Sequence, residues 1–123
     1  MTEAERIDEF RRAVSRLGEA MSAGTDNSLF IDAAIQRFEF CVELAWKSLK
    51  LRLSSQHGLE VASPKPALQE AFRLHMIDDD ALWLSMLRDR NLTSHTYRER
   101  LANEIYGRLH GYLAVLQRLA NDL

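Results

Sequence analysis

Between Leu29 and Gln56 the chain runs 28 residues without a glycine or a proline. Apolar side chains wrap more than half of that stretch when its residues are set at 100° intervals. A run of this length with no breaker predicts one long helix, about 40 Å at 1.5 Å per residue, which suits it to be the spine of a small domain. Asp32, Gln36, Glu39, Glu43, Lys47 and Lys50 form its polar stripe. Glu43 and Lys47 stand in the favourable order for an i,i+4 ion pair. The opposite arc carries Phe30, Ile31, Ile35, Phe38, Phe40, Cys41, Trp46, Leu49, Leu51 and Leu53. So wide an apolar arc cannot be buried in one direction only. Either the helix is central in a bundle, or one of its faces buries a partner subunit.

The rest of the chain supplies helices to pack around it. Ile7, Phe10, Val14, Leu17 and Met21 step by three and four, predicting a first helix over about Glu3–Met21. The segment after Met21 breaks that pattern, and Asn27 or Ser28 is a suitable N-cap for the long helix. Gly58 suits its C-terminal end. Ser63-Pro64 opens a short helix to about Leu74, with Leu68, Ala71, Phe72 and Met76 as its buried candidates. Asp78, Asp79 and Asp80 place negative charge at the start of a fourth helix, which runs to Arg90 and is apolar on most sides. Leu101, Ile105, Leu109, Tyr112, Leu116, Leu119 and Leu123 form the seam of a fifth, over about Arg98–Asn121. No stretch alternates with a period of two, and no repeat is present. The expectation is an all-α, up-and-down bundle of four to five helices in a single domain over residues 1–123, forming homodimers.

Composition narrows the function. The 123 residues carry a net charge of −2, so any contact with nucleic acid must be local rather than driven by overall charge. One cysteine, Cys41, leaves no intrachain disulfide, and the first residues have no apolar signal-peptide core, so a cytoplasmic, membrane-free protein is expected. His57, His75 and His110 share no face and have no cysteine partner, so neither a metal site nor a cofactor is expected. Cys41 itself lies in the apolar arc and reads as a core residue.

The chemistry concentrates between the fourth and fifth helices, in Arg88-Asp-Arg-Asn-Leu-Thr-Ser-His-Thr-Tyr-Arg-Glu-Arg100. Its centre is poor in helix formers and rich in side chains that compete for backbone hydrogen bonds, so a boundary or kink is expected there. On an unbroken helix Arg90 and His95 would point about 140° apart. A local break, or two chains meeting across a two-fold axis, would bring them together. The plainer alternatives are that His95 caps the fifth helix, that Arg90 pairs with Asp89, Glu99 or a carboxylate of the second helix, and that Tyr97 is an interface aromatic. For Glu39 and Glu43, a solvated stripe or partner-contact face is the simpler expectation than a pair of catalytic carboxylates.

Arg90-x4-His95-x-Tyr97 resembles the motif of HEPN-domain proteins, in the HepT-like branch also described as nucleotidyltransferase substrate-binding proteins. The phrase Arg37-Phe-Glu-Phe-Cys-Val-Glu-Leu-Ala-Trp-Lys-Ser-Leu-Lys50 resembles the second-helix signature of that branch, and Asp89-Arg90-Asn91 fits it too. The resemblance spans essentially the whole chain. It implies a homodimer with the arginine and histidine of both copies near the interface, and a small nucleotidyltransferase as partner. In the toxin–antitoxin form of the family, it implies a ribonuclease silenced by transfer of AMP to the motif tyrosine. The residues suit that chemistry. Histidine titrates near neutrality and can act as acid or base, and an arginine fork can hold a phosphate. On this reading His95 is the acid/base, Arg90 the phosphate clamp, Asn91 an orienting group and Tyr97 the AMP acceptor. Arg88, Arg90, Arg98 and Arg100 would form the local basic patch. Two other functions compete: a non-catalytic substrate-binding subunit of a two-component nucleotidyltransferase, and an interaction bundle with a vestigial motif.

Overall fold

A computed structural model describes residues 1–123, and every regular element in it is helical. Helix α1 (Glu3–Ser22) begins at Thr2, whose hydroxyl accepts from the Glu5 amide while the Glu5 carboxylate accepts from the Thr2 amide. Helix α2 (Ser28–His57) is capped by the Asn27 side chain, which accepts from the Leu29 amide at 2.9 Å. It ends at Gly58, whose φ of +65° is the left-handed conformation that glycine adopts without a Cβ clash.

Helix α3 (Pro64–Arg73) starts with proline in its first turn, although Ser63 makes no side-chain cap bond. Just past its end His75 lies at φ +61°, a left-handed position without the usual glycine. Helix α4 (Asp80–Leu92) is capped by Asp79, which accepts from the Leu82 amide at 3.0 Å. A single 3-10 turn, Thr93–His95, follows, and helix α5 (Glu99–Asp122) completes the chain.

Helix α2 touches all four of the others, which resolves its wide apolar arc mainly in favour of a central position. Its direction relative to its neighbours is fixed by polar ties at one end of the bundle. Ser55 near its end donates to Glu3 at the start of α1, at 2.7 Å. Arg52 donates to the Leu123 carbonyl at the end of α5, at 2.6 Å. Thus α1 runs antiparallel to both α2 and α5. Phe10, Leu17, Phe38, Leu49, Ile105, Leu109, Tyr112 and Leu116 meet in one core. Each such side chain contributes roughly 1.5–3 kcal/mol on burial, so the seams read from periodicity outweigh local propensity in setting the fold.

Three burial expectations change. Phe72 remains 41% exposed, because short α3 turns Ala67, Leu68 and Ala71 inward instead. Helix α4 is less deeply packed than its composition suggests: Trp83, Met86 and Asp89 are its buried residues, whereas Leu84 faces outward. Centrality does not cover all of α2 either. Leu29, Phe30 and Phe40 stay exposed along one of its edges. No helix is long and apolar enough to cross a membrane.

Candidate functional site

The helical ladder stops at Leu92 because Thr93 and Thr96 turn their hydroxyls back on the chain. Thr93 Oγ1 donates to the Arg90 carbonyl at 2.6 Å, and Thr96 Oγ1 to the Thr93 carbonyl at 2.9 Å. The break expected between Arg90 and His95 is therefore real. Arg90 is in the last turn of α4, His95 closes the 3-10 turn, and Tyr97 lies in the connection to α5.

Two pairings result. Arg90 Nη2 donates to Glu43 Oε2 of α2 at 2.6 Å, and its Nη1 to Asn91 Oδ1 at 3.4 Å. The exposed rings of His95 and Tyr97 meet edge to face, with centroids 6.2 Å apart. His95 is not among the polar partners of Arg90 within the chain. Nor does it cap α5; the Arg98 amide donates to its backbone carbonyl, and no side chain caps that helix. Tyr97 is 76% exposed, with the Arg98 guanidinium 5.6 Å from its ring centroid. Of the expected basic patch, Arg88 leans on Ser85 and Arg100 pairs with Glu104.

The carboxylates of α2 are more than a solvated stripe. Glu43 accepts from both Arg90 and Lys47, the latter at 3.2 Å. Burial pushes its carboxyl up, but the Lys47 ammonium and the charge of Arg90 outweigh burial and hold it below the usual range. Glu39 accepts from Thr93 Oγ1 at 3.1 Å, tying the 3-10 turn to α2. The possibility of Arg90 pairing with a second-helix carboxylate is thus realised at Glu43. The Nε of Arg90 is buried without a hydrogen-bond partner.

One polar cluster was not foreseen from the sequence. Asp89, 1% exposed, accepts two bonds from Arg108, at 2.7 and 2.9 Å, and a third from Tyr112 at 2.6 Å. The Tyr112 hydroxyl also meets Ser85 Oγ at 2.7 Å, and its ring stacks on Phe38 at 5.4 Å. Burial, then the bond to Asp89, raises the Tyr112 phenol above its ordinary value. The available signal was Asp89 itself, three residues after Met86 and six after Trp83 on the inward face of α4. Consequently the last turn of α4 is held on two sides, through Asp89 to α5 and through Arg90 to α2.

The side chains of Arg90, His95 and Tyr97 line none of the five principal cavities; His95 and Tyr97 are exposed, whereas Arg90 is largely covered by its contact with Glu43. No three His, Cys, Asp or Glu side chains converge as a metal-ligating group. An exposed imidazole and phenol thus share the connection, while the guanidinium of Arg90 at the end of α4 is turned to Glu43 of α2.

A helical bundle bearing Arg-x4-His-x-Tyr at an exposed break before its last helix is the class that fold and site define. Residues 5–123 match the family described as nucleotidyltransferase substrate binding protein like, and the chain belongs to that family. A curated relative from Haemophilus influenzae, named "Probable ribonuclease HepT", is 34% identical over 87 residues, which cover 68% of this chain and 60% of that protein. Among solved structures, a protein of Thermus thermophilus is 37% identical and superposes with a TM-score of 0.86, covering 91% of this chain and 96% of that one. A solved structure from Haemophilus influenzae, described as revealing the fold of a substrate binding domain of a nucleotidyltransferase, is 27% identical with a TM-score of 0.84. That match covers 94% of this chain and 97% of the other.

Proposed function

We propose that this chain is a HepT-like ribonuclease toxin, active as a homodimer and silenced by AMP attached to Tyr97 by a partner nucleotidyltransferase. The observation that carries this reading is the helix break, which exposes His95 and Tyr97 together one turn beyond Arg90. In the reaction a base takes the proton of a ribose 2′-hydroxyl, whose oxygen attacks the adjacent phosphorus. The P–O5′ bond breaks, and an acid protonates the departing 5′-oxygen. His95 acts as that acid or base, and the second copy offers another histidine for the opposite role. Arg90 steadies the charge that builds on phosphate, with Asn91 orienting its fork. AMP on Tyr97 adds bulk and negative charge beside His95, opposing phosphate by repulsion.

The family description favours one further reading, a non-catalytic subunit that binds the substrate of a partner nucleotidyltransferase. A single experiment separates the two. Purified chain, shown by mass spectrometry to carry no AMP, is incubated with cellular RNA in EDTA beside folded His95→Ala and Arg90→Ala variants. Cleavage by the parent with at least about a 100-fold loss in each variant is expected, the scale of general acid–base catalysis for His95 and of transition-state charge stabilisation for Arg90. An inert, folded, unmodified parent would refute the nuclease and leave the substrate-binding subunit.

A further inference from the structure

The groove between α1 and α2, of about 320 Å³, is lined by Glu9, Arg12, Ala13, Arg16, Arg37, Phe40 and Leu44. Three arginines against one glutamate give its wall a cationic excess of two, in a chain whose net charge is −2. The other principal cavities carry balanced or acidic walls. Phe40, 46% exposed, lies on its wall, whereas of the other aromatics of α2 Phe38 is buried, Trp46 is half-buried and Phe30, 37% exposed, lies outside this groove. A positive groove with an exposed ring on its wall is the combination that single-stranded nucleic acid uses, phosphates on the cations and a base on the ring.

The arginines are poised differently. Arg37 is fixed, donating to the Arg16 carbonyl at 2.7 Å and lying 3.6 Å from Glu19. Arg12 pairs with Asp8 at 3.0 Å, but both side chains are more than half exposed, so water screens that pair and a phosphate can replace the carboxylate. Arg16 has no ion-pair partner. Around α2, Phe40 and Leu44 lie about 60° and 100° from Glu43, the residue that holds Arg90. Lys47 stands on the strip between.

We propose that this groove is a second RNA subsite, in which Phe40 stacks a base and Arg12 and Arg16 hold the flanking phosphates of a single strand. The proposal rests on the reading of the chain as an RNA-cleaving protein, and it adds that the substrate is single-stranded and reaches Arg90 across α2. Its local charge answers the objection that the chain as a whole repels RNA.

The test is fluorescence anisotropy with a labelled single-stranded RNA oligonucleotide of mixed sequence, in a His95→Ala background that keeps the probe intact. Phe40→Ala is expected to weaken binding about 5- to 100-fold, the range for losing one stacked base. Arg12→Ala with Arg16→Ala is expected to flatten the slope of log affinity against log salt by about 1.4, for two phosphates on a single strand. All three side chains are at the surface, and circular dichroism confirms the fold of each variant. Absent binding, or unchanged affinity and slope, overturns the proposal. So does a shift from dimer to monomer in sedimentation velocity caused by Phe40→Ala, which makes the groove a contact between copies. Cleavage is scored separately with His95 intact: binding without cleavage retains the subsite and removes the nuclease, whereas cleavage indifferent to these substitutions does the reverse.

Discussion

Replacing Tyr112 with phenylalanine isolates what the buried cluster on Asp89 contributes. The ring is 2% exposed and stacks on Phe38, and phenylalanine keeps that packing. What disappears is the hydroxyl that donates to Asp89 at 2.6 Å and meets Ser85 at 2.7 Å. A hydrogen bond to a charged group contributes about 1.5–3 kcal/mol. The lower end applies, because Asp89 retains both bonds from Arg108 and is not left as an orphaned charge. Ser85 likewise keeps the contact from Arg88 at 3.3 Å. The expected loss is therefore about 1–2 kcal/mol. For a chain of this size, between the small and large ranges, each kcal/mol moves Tm by about 3–5 °C, so a fall of about 3–10 °C is expected. Urea denaturation with an unchanged m-value gives the free energy directly. By contrast Tyr112→Ala, which also removes the ring, should cost at least about 3–5 kcal/mol. A Tyr112→Phe loss below about 0.5 kcal/mol, the scatter of ordinary surface substitutions, would refute the view that the hydroxyl ties α4 to α5. A loss equal to that of the alanine variant would refute the separation of hydroxyl from ring.

Cys41 is fully buried, and burial pushes its thiol up to about 12. It should resist alkylation by iodoacetamide at about pH 8 in the native protein and react on unfolding in guanidinium; rapid native labelling by mass spectrometry would contradict its place in the core. Of the three positive-φ positions, the two that follow the ends of α2 and α3, Gly58 and His75, should respond with opposite signs. Gly58→Ala, at φ +65°, is expected to lower stability by about 1–2 kcal/mol, and His75→Gly, at φ +61°, to raise it by up to about 1 kcal/mol. Equal signs in thermal melts would show that backbone conformation does not govern these helix ends.

The helices were legible because their signals are local. The cap at Asn27, the aspartates before α4 and the stop at Gly58 act on backbone groups within a few residues, so each boundary falls within about two residues of its expectation; the Thr2 cap of α1 emerged only in the structure. The seam of α5 was likewise written in steps of three and four. Phe72 was misjudged because a short helix offers more apolar residues than its neighbours can cover, and periodicity does not say which side is chosen. The connection Arg90–Tyr97 was visible as chemistry, and its break followed from threonine and serine where helix formers would be needed. The partner of Arg90 was not fixed by that argument: Asp89, Glu99 and the α2 carboxylates were all available.

Sequence alone determined an all-helical chain, its element boundaries to within about two residues, and the break between arginine and the histidine and tyrosine that follow it. Tertiary structure decided which charges meet. Asp89 and Arg90 are adjacent, yet successive residues on a helix diverge by about 100°, so one is driven inward to Arg108 and Tyr112 while the other turns to Glu43. The groove carrying Arg12, Arg16 and Phe40 is likewise a product of packing, since α1 and α2 present those side chains to one another only once they lie antiparallel. Hydrogen-bond and seam periodicities act within a helix and can be read along the chain, whereas charge pairing acts through space and depends on how the helices are docked.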